Sequence, residues 1–171
     1  MSTGPGNGPE RASVPAPDSA RGRVRFYSCR VVATAMPVQT DAELREILEL
    51  ETIAVVGMSN TPGKAAHGVP RYLLDHGYDV IPVNPTADEV QGLPAYDSLS
   101  EVDAEIDVVD VFRPSDEVPG IVDEVLDRDG VEAVWLQLNI RDGDAGARVE
   151  ASGRKFVQDR CIKVVHQRLL G

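Results

Sequence analysis

The chain has 171 residues and a formal net charge of −11, with 28 acidic and 17 basic side chains. So acidic a body excludes the broad basic face that nucleic acids require. It carries no apolar run long enough for a membrane span, no secretory-signal layout and only two distant cysteines, Cys29 and Cys161, so a cytoplasmic, single-domain protein without a disulfide framework is expected. Only three of the basic residues are lysines (Lys64, Lys155 and Lys163). With so acidic a surface, that shortage points to a halophilic type of protein, whose self-repulsion is screened by a salty cytosol.

Residues 1–35 are rich in Gly, Pro, Ser and Ala and hold five arginines against Glu10 and Asp18. They show no sustained apolar periodicity, and this segment is expected to be disordered. The charge reverses and organised sequence begins at Met36-Pro37-Val38. A sharper expectation follows: Met36 is the true start, and the upstream residues are a misassigned extension. A basic interaction arm and a targeting peptide are the rival readings.

Thr40 to Glu43 matches a capping box and opens an amphipathic helix ending near Leu50, with Leu44, Ile47 and Leu48 on its apolar face. Ile53 to Val56 is a short apolar run of the kind found in buried parallel strands, and it runs straight into Gly57. A helical pattern follows from about Ala65 to His76, closed by Gly77. Pro70 fits only a first turn, which moves the expected start towards Gly68. The second strand is Asp79–Val83, where Pro82 limits pairing and Asn84-Pro85 ends the run. A short helix near 98–102 and a third strand over 106–112 come next. Ser115 then caps a helix to about Arg128, followed by a fourth strand over 131–138, a helix over 142–152 and a fifth strand over 155–158.

Strands alternating with helices at this spacing predict an α/β, Rossmann-like, doubly wound parallel sheet of about five strands. The expected strand order is 3-2-1-4-5. The loops after the first three strands (57–64, 84–86 and 113–115) then meet beside the switch point. A strand feeding a loop and a helix aims backbone N–H groups beyond the strand end, where phosphate is the usual guest. The alternative is a plain turn, with Gly57 present only to make the bend.

Two phosphate fingerprints fail in the first loop. Gly57 and Gly63 do not make G-x-G-x-x-G, and Gly63-Lys64 lacks the Walker spacing, with Ala65 where Ser or Thr should bind magnesium. The second strand ends in Val83-Asn84-Pro85, without the carboxylate that grips the ribose of NAD. Losing that charge makes room for a ligand with extra phosphate on its ribose.

Six stretches carry a family resemblance: Val56-Gly57-Met58-Ser59, Tyr72 to Tyr78, Val80 to Pro85, Asp110 to Pro114, Val134 to Leu138, and Asp159 to Ile162. In this order they resemble the stand-alone CoA-binding proteins, relatives of the CoA-binding domain in the succinyl-CoA synthetase alpha subunit. The resemblance implies that residues 36–171 form one CoA-binding domain, with CoA or acyl-CoA in the crevice outside the first three strands. It implies diphosphate held by the amides of Gly57, Met58 and Ser59 and by the Ser59 hydroxyl. Val83, Asn84 and Pro85 flank the adenosine end, and Phe112, Arg113 and Pro114 form the opposite wall. Lys64 and Arg113 are the candidate cations for phosphate, with surface ion pairing as the alternative. Asn139 stands where relatives commonly show Gly, which leaves the fourth loop's contacts open.

No nucleophile, base and orienting group can be assembled from these residues. The phosphohistidine of the synthetase relatives belongs to a second domain that this chain lacks. Cys161 and His166 lack the further ligands a metal site requires, and a buried thiol is commoner. Asp110 is expected inside the fold with a hydrogen-bonding partner. The first expectation is therefore a non-covalent binder without its own catalytic apparatus. The alternatives are a ligase-type subunit that becomes catalytic with a partner chain, and an NAD-type nucleotide sensor. The oligomeric state is left open: a sheet edge offers a homodimer surface, but no patch singles one out.

Overall fold

The computed structural model describes residues 40–171, so the expectations for residues 1–35 and for Met36 lie outside the described residues. Helix α1 (Asp41–Leu48) opens on the expected capping box, in which Thr40 accepts from the Glu43 N–H and Glu43 reaches back to the Thr40 N–H. Strand β1 (Thr52–Val56), helix α2 (Ala65–Asp75) and strand β2 (Asp79–Val83) follow. Two short strands, β3 (Glu89–Val90) and β4 (Leu93–Pro94), pair antiparallel, and a 3₁₀ turn spans Leu99–Glu101. The second half runs β5 (Val108–Val111), α3 (Val118–Leu126), β6 (Ala133–Leu136), α4 (Gly143–Ala151), β7 (Lys155–Val157) and α5 (Ile162–Leu169).

The five-stranded sheet is parallel throughout and ordered β2-β1-β5-β6-β7. That corrects the expected order. The third long strand lies on the far side of β1, not outside β2, because the chain between β2 and β5 crosses back over the sheet. Strand β1 is thus flanked on both sides, and the winding reverses between β1 and β5, which is where open α/β sheets bind ligands.

Side-chain alternation sends each strand into two cores. Ala54, Val56, Val109, Val111, Val134 and Leu136 pack under α3 and α4. Ile53, Val55, Val108, Ala133 and Trp135 pack under α1, α2 and α5. No helix among the described residues is long and apolar enough to cross a membrane.

Several boundaries differ from expectation. Helix α2 begins at Ala65 with Pro70 inside it. Ser115 does not cap α3: it starts a 3₁₀ turn, Ser115–Glu117, and its hydroxyl accepts from the Arg141 N–H. Helix α5 was not anticipated, although Ile162, Val165, His166 and Leu169 follow helical spacing.

Buried His166 clamps α5 to α2. Its Nδ1 lies 2.8 Å from the Tyr72 hydroxyl, and its ring meets those of His76 and Tyr78 edge-on. Burial, and then the charge of His76, hold its pKa below the ordinary histidine value. A depressed histidine favours the folded state when neutral, so its contribution is present above about pH 6.5 and is lost as pH falls from there through the depressed folded value. We expect His166→Gln to reduce the acid-side fall in stability, read as the difference between variant and parent urea midpoints on either side of that pH.

Candidate functional site

The C-terminal ends of β1, β2 and β5 meet at one rim, stitched by Gly57 N–H to the Val83 carbonyl at 2.8 Å and Phe112 N–H to the Val56 carbonyl at 2.9 Å. Gly57 is required there twice over. Its φ is +90°, and a Cβ would lie 2.8 Å from Cδ of Arg113, which crosses directly over it. Gly57→Ala is therefore expected to cost about 1–2 kcal/mol from the left-handed backbone alone, with Arg113 displaced as well. Chemical denaturation beside a ligand titration separates the two effects.

The first loop is held from several directions. Met58 is fully buried and packs with the α1–α2–α5 core. The Ser59 N–H donates to the Ala66 carbonyl at 2.9 Å. That carbonyl is available because Pro70, four residues on, has no N–H to offer it. Asn84 donates from Nδ2 to the Met58 carbonyl at 2.9 Å, while its Oδ1 accepts from the Thr86 N–H and hydroxyl. Gln91, at φ +54°, donates from Nε2 to the His67 carbonyl at 3.0 Å, and Asn60 bridges the same hairpin through Glu89 and Gln91.

These bonds occupy part of the expected diphosphate cradle. The Gly57 and Ser59 amides are engaged by backbone carbonyls, and Met58 is buried. The open donors are one turn further on. The N–H groups of Ala65 and Ala66, in the first turn of α2, have no protein acceptor among the described residues. The Ser59 hydroxyl accepts from the Thr61 N–H, so its own proton is free to point outwards. Lys64 is exposed at the head of the helix.

Two cavities flank Arg113. The smaller, of about 150 Å³, is lined by Val56, Gly57, Val83, Pro85, Ser98 and Leu99, with the carboxylates of Asp97, Glu117 and Glu124. The larger, of about 320 Å³, is lined by Ala65, Phe112, Pro114, Leu138, Ile140 and Cys161, with Gln137 as its neutral polar side chain. Arg113 borders both. Its guanidinium forms a fork with Glu117, at 3.2 Å from Nε and 2.8 Å from Nη2, and both side chains are half exposed. A third, polar cavity lies beyond β6 and β7, lined by Arg141, Gln158, Asp159 and Arg160.

Beneath the larger cavity lies Asp110, wholly buried on β5. Gln137 Nε2 donates to its Oδ1 at 2.5 Å, so the expected partner exists, while Oδ2 has none among the described residues. Burial raises the Asp110 pKa to about 7, against the lowering effect of Gln137. Among the described residues no cluster of three or more His, Cys, Asp or Glu side chains could hold a metal.

Of the anticipated residues, Gly57, Val83, Pro85 and Arg113 line the smaller cavity and Phe112, Arg113 and Pro114 the larger. Met58, Ser59 and Asn84 shape the loop between them, and Lys64 lines neither. Gln137, Cys161 and the acidic trio were not anticipated. A polar residue closing the apolar run Val134-Trp135-Leu136 was the available signal for Gln137.

The family described as CoA binding domain matches residues 51–167 of this chain. The chain belongs to that family. The uncharacterized protein YneT of Bacillus subtilis is 43% identical over 126 residues, covering 73% of this chain and 93% of YneT. A solved structure of a hypothetical protein from Pyrococcus horikoshii superposes with a TM-score of 0.75 at 37% identity, covering 80% of this CoA-binding-domain chain and 97% of that one. An ADP-forming acetate–CoA ligase from Methanocaldococcus jannaschii is 32% identical over 84 residues. That match takes in 49% of this chain and only 12% of the ligase.

Proposed function

We propose that this domain binds CoA or an acyl-CoA without covalent attachment, laid across Arg113 from one cavity to the other. The observation that carries this reading is Arg113 itself, the one described residue shared by the smaller and the larger cavity at the switch point. The adenosine occupies the smaller cavity, between Val83-Asn84-Pro85 and the Asp97–Leu99 segment. Asp97 and Glu124 offer acceptors to the adenine amine. The diphosphate meets the guanidinium of Arg113, the open amides of Ala65 and Ala66, the Ser59 hydroxyl and the reach of Lys64. The pantetheine arm runs into the larger cavity past Phe112 and Pro114.

Binding to the folded state raises stability by mass action. CoA at about 100 times its dissociation constant should add roughly 2.7 kcal/mol, read as a shift in the thermal midpoint. An unmoved midpoint at millimolar CoA would count against the reading. The acidic body repels an anionic ligand, so the shift should grow with salt.

A second reading makes this domain the CoA-handling part of a ligase whose other domains are separately encoded. The observation in its favour is the match to the alpha subunit of Pyrococcus furiosus acetate–CoA ligase II, 41% identical over 63 residues but only 14% of that subunit. Co-purification of a second chain under native conditions supports it, and a protein that runs alone at all salt concentrations opposes it. An NAD-type sensor is the least favoured reading, because Val83-Asn84-Pro85 places no carboxylate where NAD ribose is gripped.

A further inference from the structure

The larger cavity has a floor that can change its hydrogen-bonding character. Gln137 is almost completely buried yet lines this cavity, and its Nε2 is held by the Asp110 carboxylate. An ionised carboxylate only accepts, so it fixes the amide with nitrogen inward. The Gln137 Oε1, which has no protein partner among the described residues, is left as an acceptor towards the cavity. A protonated Asp110 reverses the arrangement. Its O–H donates to Oε1, the amide turns over, and the NH₂ group faces the cavity instead.

We propose that Asp110 and Gln137 together read the sulfur end of the ligand, favouring a free thiol when Asp110 is ionised and a thioester carbonyl when it is protonated. This rests on the proposed function, with the pantetheine arm in the larger cavity. A thioester oxygen is an acceptor: it clashes electrostatically with Oε1 and is welcomed by NH₂. A thiol is a weak donor and suits the opposite state.

The described surroundings give Asp110 no other control. Strands β1 and β6 flank it with Val55 and Trp135 and carry no charge. Helix α1 contributes Leu44, Ile47 and Leu48 to this layer, and α2 contributes Tyr72. The head of α5 brings Cys161, with Lys163 over the Tyr72 ring and His166 further along. Arg113 lies at the end of the strand, tied to Glu117. Among the described residues, Gln137 is the one hydrogen-bonding side chain on the carboxylate, and Oδ2 is buried without a partner.

The test compares acetyl-CoA with S-ethyl-CoA, which has the same size and phosphates but a methylene in place of the carbonyl. Calorimetric affinities for both are measured at about pH 5.5 and about pH 8.5, on either side of the Asp110 transition. The preference for acetyl-CoA should rise about fivefold or more at the lower pH, the worth of one hydrogen bond gained in place of a repulsion. In Asp110→Asn that preference should not move with pH. Gln137→Met keeps the volume, removes the reader and should behave likewise, with thermal melts confirming that both variants are folded. A parent protein whose preference is independent of pH overturns the proposal, as does a pH effect that survives in Asp110→Asn. Failure of CoA and both analogues to bind at either pH overturns the ligand reading itself, and this proposal with it.

Discussion

Asp110→Asn should make the protein more stable at about pH 8.5, by roughly 2 kcal/mol, and less stable at about pH 4.5, by roughly 1 kcal/mol. The carboxyl is wholly buried, and its pKa is raised from 3.8 to about 7. A raised folded-state pKa means that the folded protein holds the proton more tightly than the unfolded chain. The stabilisation from the neutral acid is complete below the unfolded value and is lost as pH rises through about 7. A shift of about three units corresponds to roughly 4 kcal/mol at most. Asparagine keeps an oxygen for Gln137 but leaves a buried NH₂ without an acceptor, which takes back roughly 1–3 kcal/mol. Urea unfolding of both proteins across this range is the measurement. A variant less stable than the parent at high pH would show that the ionised carboxylate is solvated or paired. The slope runs opposite to that from His166, so the parent protein should show a flatter profile around neutrality than either single variant.

Arg113→Ala should weaken CoA binding by about 10- to 100-fold, the loss expected for one charge-assisted fork on a phosphate. Its effect on stability should be small, because the Arg113–Glu117 pair is half exposed and such pairs contribute about 0–1 kcal/mol. The same geometry predicts a gain from the partner. Glu117 competes for the guanidinium, so Glu117→Gln should raise affinity as the arginine is released. Equal affinities for Arg113→Ala and the parent, with both folded, would remove Arg113 from the site.

Local features were legible in the sequence where the physics is local. The capping box of Thr40 and Glu43, the apolar strand Ile53–Val56 and the helix that begins near Asp142 all follow from neighbouring residues. Strand order does not. The periodicity of residues 106–112 says that they form a strand, but not on which side of β1 they lie. The hairpin β3–β4 escaped notice because its strands have two residues each and its turn uses Gln91-Gly92, not Asn-Gly or Asp-Gly. The loop amides illustrate a different limit. That Ser59 N–H is occupied depends on a carbonyl freed by Pro70, a contact between positions that no local pattern links. The pairing of Asp110 with Gln137 likewise needs β5 and β6 side by side, so a buried carboxylate could be expected but its cavity could not.

The central claim is that CoA lies across Arg113. Its most direct test is a calorimetric titration of the full chain, in about molar KCl so that ligand repulsion is screened, with CoA, 3′-dephospho-CoA and NAD. The account predicts a clear heat with CoA, weakened when the 3′-phosphate is removed, and little or none with NAD. Binding of NAD in preference to CoA would contradict it.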